Sequence, residues 1–315
     1  MLAIVAPGQG AQTPGFLAPW LEDSALAEQL AALSAVSELD LAHYGTAADA
    51  DTIRDTAIAQ PLLVASALLT ARALLGDDTS PVGVTAGHSV GELAAMAIAG
   101  AISDDDALIL VRERGRAMAE ASAARPTSMT AIVAGDRDEV LAAIEAAGLT
   151  PANNNGTGQI VAAGTVEQLA ALAENPPRRA RLVPLSVAGA FHTIHMQPAV
   201  AHLERVAAGV ATADPRIPLL TNADGSVVTS GEEALARMIN QVANPVRWDL
   251  CMETMAAMGV TGLLELAPAG TLTKIAQRNL KPVALFNLNT PDQLDEARAF
   301  VAEHASTAAQ QPENE

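Results

Sequence analysis

The chain is 315 residues long, half hydrophobic but only 2% aromatic, with one cysteine and a formal charge of −18. That excess of acid excludes general binding to nucleic acid or anionic membrane, which relies on clustered cations, although Arg112, Arg114 and Arg116, Arg178, Arg179 and Arg181, and Lys274, Arg278 and Lys281 form local basic islands. A lone Cys251 excludes a disulfide framework; with no basic signal-like N-terminus and no apolar run judged long enough to cross a bilayer, the expectation is a cytoplasmic protein with a large Ala, Leu, Val and Ile core.

Leu2 to Ala6 is a compact apolar run, a buried first strand, that ends in Pro7-Gly8-Gln9-Gly10. The glycines let this loop pass close to another backbone or a ligand, and a plain glycine-rich turn fits equally well. Apolar spacing predicts a helix from Trp20 to Leu39 and another from Pro61 to Leu75, entered through Thr56 to Gln60 and closed by Gly76. A β-branched run from Val82 then meets Gly87-His88-Ser89-Val90-Gly91 and an alanine-rich segment, a strand, sharp turn and helix in succession. Ser89 stands at the turn, above the free N–H groups of a helix start. That position suits a nucleophile whose attack creates an oxyanion, and it also suits a tight turn with an incidental serine.

Ser103 followed by Asp104, Asp105 and Asp106 predicts a capped helix running to about Ala123. On it Arg112 and Arg116 share a face while Arg114 points elsewhere, and an arginine aimed inward needs an anion. From Thr127 the pattern shortens: strand Met129 to Ala134, helix Asp136 to Gly148, strand Gln159 to Ala163, helix Val166 to Ala173 and strand Arg181 to Val187 form a small inserted α+β unit. Asn153 to Gly158 reads as an amide-rich loop.

Of six histidines, His192 and His195 remain as candidate bases, and the His88 side chain is expected to leave the elbow on the opposite side. No third ligand stands near the pair at 192 and 195, so no metal is expected. Later elements are a strand from Pro215 to Asn222, a helix from Gly231 to Val242, a junction at Asn244 to Trp248, a helix from Leu250 to Met258 and a strand from Thr261 to Ala267. A helix from Leu272 to Arg278, a strand from Val283 to Asn287, a terminal helix opened by Thr290-Pro291 and a disordered tail at 305–315 complete the chain. Strands alternating with helices on both sides of the insertion indicate an α/β class with a mostly parallel sheet.

Pro7-Gly8-Gln9-Gly10, Gly87-His88-Ser89-Val90-Gly91-Glu92, Met129-Thr130-Ala131-Ile132 and Asn244-Pro245-Val246-Arg247-Trp248 occur in this order, and with them the chain resembles the malonyl-CoA:acyl carrier protein transacylases of bacterial fatty-acid synthesis. The resemblance implies an α/β-hydrolase-like catalytic core at 1–126 and 191–304 and a ferredoxin-like insertion at 127–190. It implies malonyl transfer from malonyl-CoA to the phosphopantetheine thiol of an acidic acyl carrier protein, met through a local Arg/Lys patch. No metal or other cofactor is implied, and a monomer is expected. In that family's pattern Ser89 is the nucleophile and His192 the base, held by the backbone carbonyl of Gln241 and needing a near-neutral pKa. The N–H groups of Gln9 and Val90 form the oxyanion hole. Arg114 binds the free malonyl carboxylate, and Gln60, Asn153 and Asn155 line the cleft. Compared with the related acyltransferase domains of modular polyketide synthases, Phe191 before the histidine resembles the malonyl-selecting form, narrowing the pocket where a methyl branch would sit, a discrimination of about 1–3 kcal/mol. Two other classes stay open: a serine hydrolase using the same Ser89–His192 pair with water as acceptor, and a non-catalytic component that binds carrier protein.

Overall fold

The first strand, β1 (Leu2–Ala6), is buried at every residue, and its two faces feed different cores. Leu2, Ile4 and Ala6 pack with the helices on one side; Ala3 and Val5 pack with Trp248, Cys251 and Leu272 on the other. A strand covered on both faces needs no polar alternation, which is why its sequence is an unbroken apolar run. The structure is a computed structural model describing residues 1–187 and 189–305. All of the expected tail except Ala305 therefore lies outside the described residues.

After β1 come α1 (Ser24–Ser37), α2 (Leu41–Thr46), α3 (Thr56–Leu75), β2 (Val82–Gly87), α4 (Gly91–Ile98) and α5 (Asp104–Ala123). The middle of the chain holds β3 (Thr127–Ala134), α6 (Arg137–Ala146), β4 (Thr150–Asn154), β5 (Gln159–Thr165), α7 (Val166–Glu174) and β6 (Ala180–Pro184). The remainder is α8 (Gln197–Ala207), β7 (Leu219–Leu220), β8 (Val227–Val228), α9 (Gly231–Gln241), β9 (Val246–Arg247), α10 (Trp248–Ala257), β10 (Gly262–Glu265), α11 (Leu272–Asn279), β11 (Ala284–Asn287) and α12 (Leu294–His304). A six-stranded sheet has the order β11-β10-β1-β2-β7-β8 and is parallel except for β8. A five-stranded sheet has the order β6-β3-β5-β4-β9, antiparallel except that β9 runs parallel to β4. The α/β class with a mostly parallel main sheet is thus as expected.

Several elements differ from the sequence reading. The helix expected from Trp20 is interrupted at Asp23, whose side chain accepts from Ala25 N–H and caps α1 afresh, leaving a 3-10 turn at Ala18–Glu22. Thr56 to Gln60 is the first turn of α3 and not its approach, because the Asp55 side chain caps the helix at Ala57. Pro61 is therefore internal, and its missing N–H frees only one first-turn carbonyl. This helix is long and apolar enough to cross a membrane, contrary to the expectation, and 78% of its apolar window is buried inside the protein. The strand expected from Pro215 shrinks to β7, since Pro215 and Pro218 have no N–H and the Arg216 N–H goes to the Ala99 carbonyl. The amide-rich stretch is strand as far as Asn154, because β4 finds partners on both edges despite Pro151 and its poor β propensity.

Candidate active site

Strand β2 delivers Ser89 onto α4 through a turn that only glycine tolerates at two places: a Cβ on Gly87 would overlap the Gly91 and Glu92 backbone, and one on Gly91 would overlap the Ala6 carbonyl. Ser89 itself has φ of +54°, a left-handed conformation that costs about 1–2 kcal/mol for a residue with a side chain. Asn222 holds it there. Its Oδ1 accepts Ser89 N–H at 2.7 Å while its Nδ2 donates to the Gly87 carbonyl at 2.8 Å.

His192 arrives from the far side of the insertion, also at positive φ (+61°). Its N–H donates to the Val242 carbonyl at 3.1 Å, and the preceding Ala190 N–H donates to Thr127 Oγ1 at 3.0 Å. The ring bridges two groups: Nδ1 lies 2.8 Å from the Gln241 carbonyl and Nε2 lies 2.8 Å from Ser89 Oγ. A carbonyl only accepts, so Nδ1 carries the proton and Nε2 presents its lone pair to the serine hydroxyl. His195 takes no part in this pair. Its ring is half-buried, with Arg125 as its charged neighbour.

Arg114 is 0% exposed and lies beside the same hydroxyl. One guanidinium nitrogen donates to Gln60 Oε1 at 2.7 Å; the other donates to Gln241 Oε1 at 2.9 Å and to Ser89 Oγ at 3.3 Å. Its Nε has no partner among the described residues, and none of the recorded ion pairs includes it. Arg112 and Arg116, by contrast, sit in surface pairs with Glu38 and Glu113. Gln60 Nε2 reaches Gln9 Oε1 at 3.4 Å, and Gln9 Nε2 donates to Thr56 Oγ1 at 3.2 Å, so the first loop lies against the site. The N–H groups of Gln9 and Val90 have no hydrogen-bond partner among the described residues.

The structure therefore brings Ser89, His192, Arg114, Gln60, Gln241 and Gln9 into one cluster. Asn155 joins it indirectly, with Oδ1 2.9 Å from His88 Nε2 and its Nδ2 donating to Gln159 Oε1. His88, which makes no hydrogen bond to Ser89 among the described residues, also meets Trp248 edge to face. Asn153 makes no side-chain hydrogen bond to the cluster among the described residues; its Oδ1 is buried without a partner on β4, beside Val246. Phe191 is buried near Gly189 and Ser122.

Burial, aided by the Arg114 cation and opposed by the Gln241 carbonyl, pushes the His192 pKa from 6.5 down to about 3. The near-neutral value expected for a base is thus not found here, because burial, with the Arg114 cation beside it, disfavours the imidazolium. Since kcat/KM reports the free enzyme, acylation by acetyl-CoA, which brings no second carboxylate, should keep an even kcat/KM from pH 8 to pH 5. A single-turnover pH profile falling by half near pH 6.5 would contradict this.

Two members of the cluster escaped the sequence reading. Glu92 is 4% exposed, with its Oε1 accepting Asn222 N–H at 2.6 Å and its Oε2 accepting from Gln241 Nε2. Burial raises its pKa from 4.5 to about 7. A single carboxylate in the otherwise apolar α4 was the available signal, and it reads equally well as a helix-start acid. Asn222 had none, being one amide after a short strand. Cys251 is buried below them, its thiol pKa pushed up by burial. Among the described residues no group of three or more His, Cys, Asp or Glu could hold a metal ion.

Residues 4–311 match the model of the acyl transferase domain family. The malonyl CoA-acyl carrier protein transacylase of Mycobacterium tuberculosis is 49% identical over 302 residues, covering 94% of this chain and 99% of that protein. The crystal structure of MCAT from M. tuberculosis superposes with a TM-score of 0.89 at 49% identity, over 95% of this chain and 99% of that one. A structure of a type II PKS acyl-carrier protein in complex with its malonyl-transacylase has a TM-score of 0.88 at 29% identity, over 95% and 99%.

Proposed function

The chain belongs to the acyl transferase domain family, and from that premise we infer that it transfers a malonyl group from malonyl-CoA to the thiol of an acyl carrier protein. The observation that carries the choice of acyl group is Arg114, a fully buried guanidinium in no direct ion pair among the described residues, 3.3 Å from Ser89 Oγ. A planar guanidinium next to the nucleophile suits a substrate that brings its own carboxylate.

In the mechanism we propose, Ser89 Oγ gives its proton to His192 Nε2 and attacks the thioester carbon. The resulting oxyanion accepts hydrogen bonds from the free N–H groups of Gln9 and Val90, each donor contributing about 3 kcal/mol. Collapse breaks the C–S bond, and coenzyme A leaves with the proton from His192. The carrier's thiol then gives a proton to His192 and attacks the malonyl ester, and Ser89 recovers the proton as its C–O bond breaks. A malonyl carboxylate on Arg114 offsets the cation that depresses the imidazole, so substrate binding itself makes His192 a better base. Phe191 narrows the acyl pocket, and Gln60, Asn153 and Asn155 line the cleft. Asn155 has contact with His88 in its support; for Asn153 the support is its place on β4 alone.

We read residues 1–126 and 191–304 as an α/β-hydrolase-like core and 127–190 as a ferredoxin-like insertion. The parallel order of the large sheet and the β6-β3-β5-β4 order of the small one support the reading. We place the carrier protein on the Lys274 and Arg278 island, because these residues line a groove of about 220 Å³ with Asn155 and Gln159, next to His88. We take the protein to be a cytoplasmic monomer working without cofactor. The large apolar side chains exposed among the described residues, Val166, Ile194 and Val227, each stand on a different element.

Incubation with malonyl-CoA should add one malonyl group to Ser89, stable in water and discharged when carrier protein is added, as read by intact-protein and peptide mass spectrometry. Rapid release of malonate without acceptor would make the protein a hydrolase, and absence of any adduct would make it a binding component.

A further inference from the structure

Arg114 is aimed by neutral amides, and the amide of Gln241 has only one workable orientation. Its Nε2 faces three acceptors, the Ser89 carbonyl at 3.2 Å, Asn222 Oδ1 at 3.1 Å and Glu92 Oε2, while its Oε1 faces the Arg114 guanidinium at 2.9 Å. Turned over, it would set oxygen against oxygen three times and N–H against guanidinium N–H. Among those acceptors Asn222 Oδ1 is already used by Ser89 N–H, and the Ser89 carbonyl also receives Glu92 N–H at the start of α4. Only Glu92 can present a carboxylate. Its other oxygen is committed to Asn222 N–H at 2.6 Å, so the carboxyl group is fixed from both ends.

We propose that Glu92 is a positioning residue for malonyl recognition: by accepting from both Asn222 and Gln241 it fixes the Gln241 amide, which in turn aims Arg114 at the acyl site. Glu92 touches neither substrate nor nucleophile side chain; it acts two bonds removed. His192 depends on the backbone carbonyl of residue 241 and not on its side chain. In Glu92→Gln the side-chain oxygen can still accept the Asn222 N–H, which keeps the Asn222 clamp on Ser89, so the effect falls on Gln241 and through it on recognition of the second carboxylate. This inference rests on the malonyl-transfer reading above, and a wild-type enzyme that forms no malonyl-Ser89 would end that reading before this one is reached.

Glu92→Gln keeps size but replaces an acceptor by an amide, so one N–H of residue 92 must face an N–H of Asn222 or of Gln241. The escape is for Gln241 to turn over, which removes an acceptor from Arg114. Single-turnover acylation by malonyl-CoA and acetyl-CoA, measured on wild type, Glu92→Gln, Gln241→Met and the double variant, tests this. Glu92→Gln should lower the malonyl-over-acetyl kcat/KM ratio at least tenfold, with acetyl transfer within threefold of wild type. Gln241→Met should lower the ratio similarly, and adding Glu92→Gln to it should change the ratio no further, as expected of residues acting through one contact. The proposal is overturned if Glu92→Gln leaves the ratio unchanged, if both substrates slow together, or if the two substitutions multiply. Should Glu92→Gln not fold, the double variant, which lacks the opposed donor, must fold and match Gln241→Met; its failure to fold would overturn the proposal too.

Discussion

Replacing Ser89 with alanine is expected to lower malonyl transfer by about 10⁴-fold or more, in line with the loss of a nucleophile that acts as a unit with its base. The variant keeps the oxyanion donors and Arg114, so substrate still binds; what disappears is the covalent step. His192 alone cannot substitute, because its Nε2 points at the missing hydroxyl and its Nδ1 is engaged by Gln241. Calorimetry should therefore show malonyl-CoA affinity within a few-fold of wild type while mass spectrometry shows no adduct. Transfer within tenfold of wild type would refute the covalent mechanism.

Arg114→Ala is expected to reduce kcat/KM for malonyl-CoA by about 10²–10³-fold, the loss typical when one partner of a buried charge pair is removed. Acetyl transfer should hold steady or rise. Two physical effects work in the same direction: a desolvated cation no longer faces a methyl group, and His192 loses the neighbouring charge that adds to burial in lowering its pKa. Arg114→Lys should recover only part of the malonyl rate, since an ammonium cannot grip both carboxylate oxygens or span Gln60 and Gln241 together. Competition between malonyl-CoA and acetyl-CoA in one reaction measures the ratio directly, and equal losses for both substrates would remove Arg114 from recognition.

The inner strands of the main sheet, β1, β2 and β10, were legible because they are buried throughout and announce themselves as apolar runs; β1 matches the reading residue for residue. Helix α5 was legible from its cap, Ser103 with three aspartates behind it. What the residues did not announce was structure created by partners. Strand β4 is strand because β5 and β9 flank it, and β7 is two residues long because prolines before it have no N–H to offer. The elbow and its glycines could be read locally, whereas the choice of His192 over His195 depended on resemblance. Glu92 and Asn222 were missed for a related reason: each works by filling hydrogen bonds across more than a hundred residues of chain, and no local pattern encodes that.

The small sheet does not end where the inserted segment ends. Its outermost member is β9, contributed by chain that returns long after the insertion is finished, and the Arg247 N–H of that strand donates to the carbonyl of Asn222, the residue clamping Ser89. Arg137 on α6 adds a second tie, to Asp249 beside Arg247. The small sheet is thus tied by hydrogen bond and ion pair to the chain around Asn222 and Asp249. Chain on the edge of the small sheet braces the residue that clamps Ser89, so the loss of one backbone hydrogen bond there would reach the nucleophile through a single intermediary.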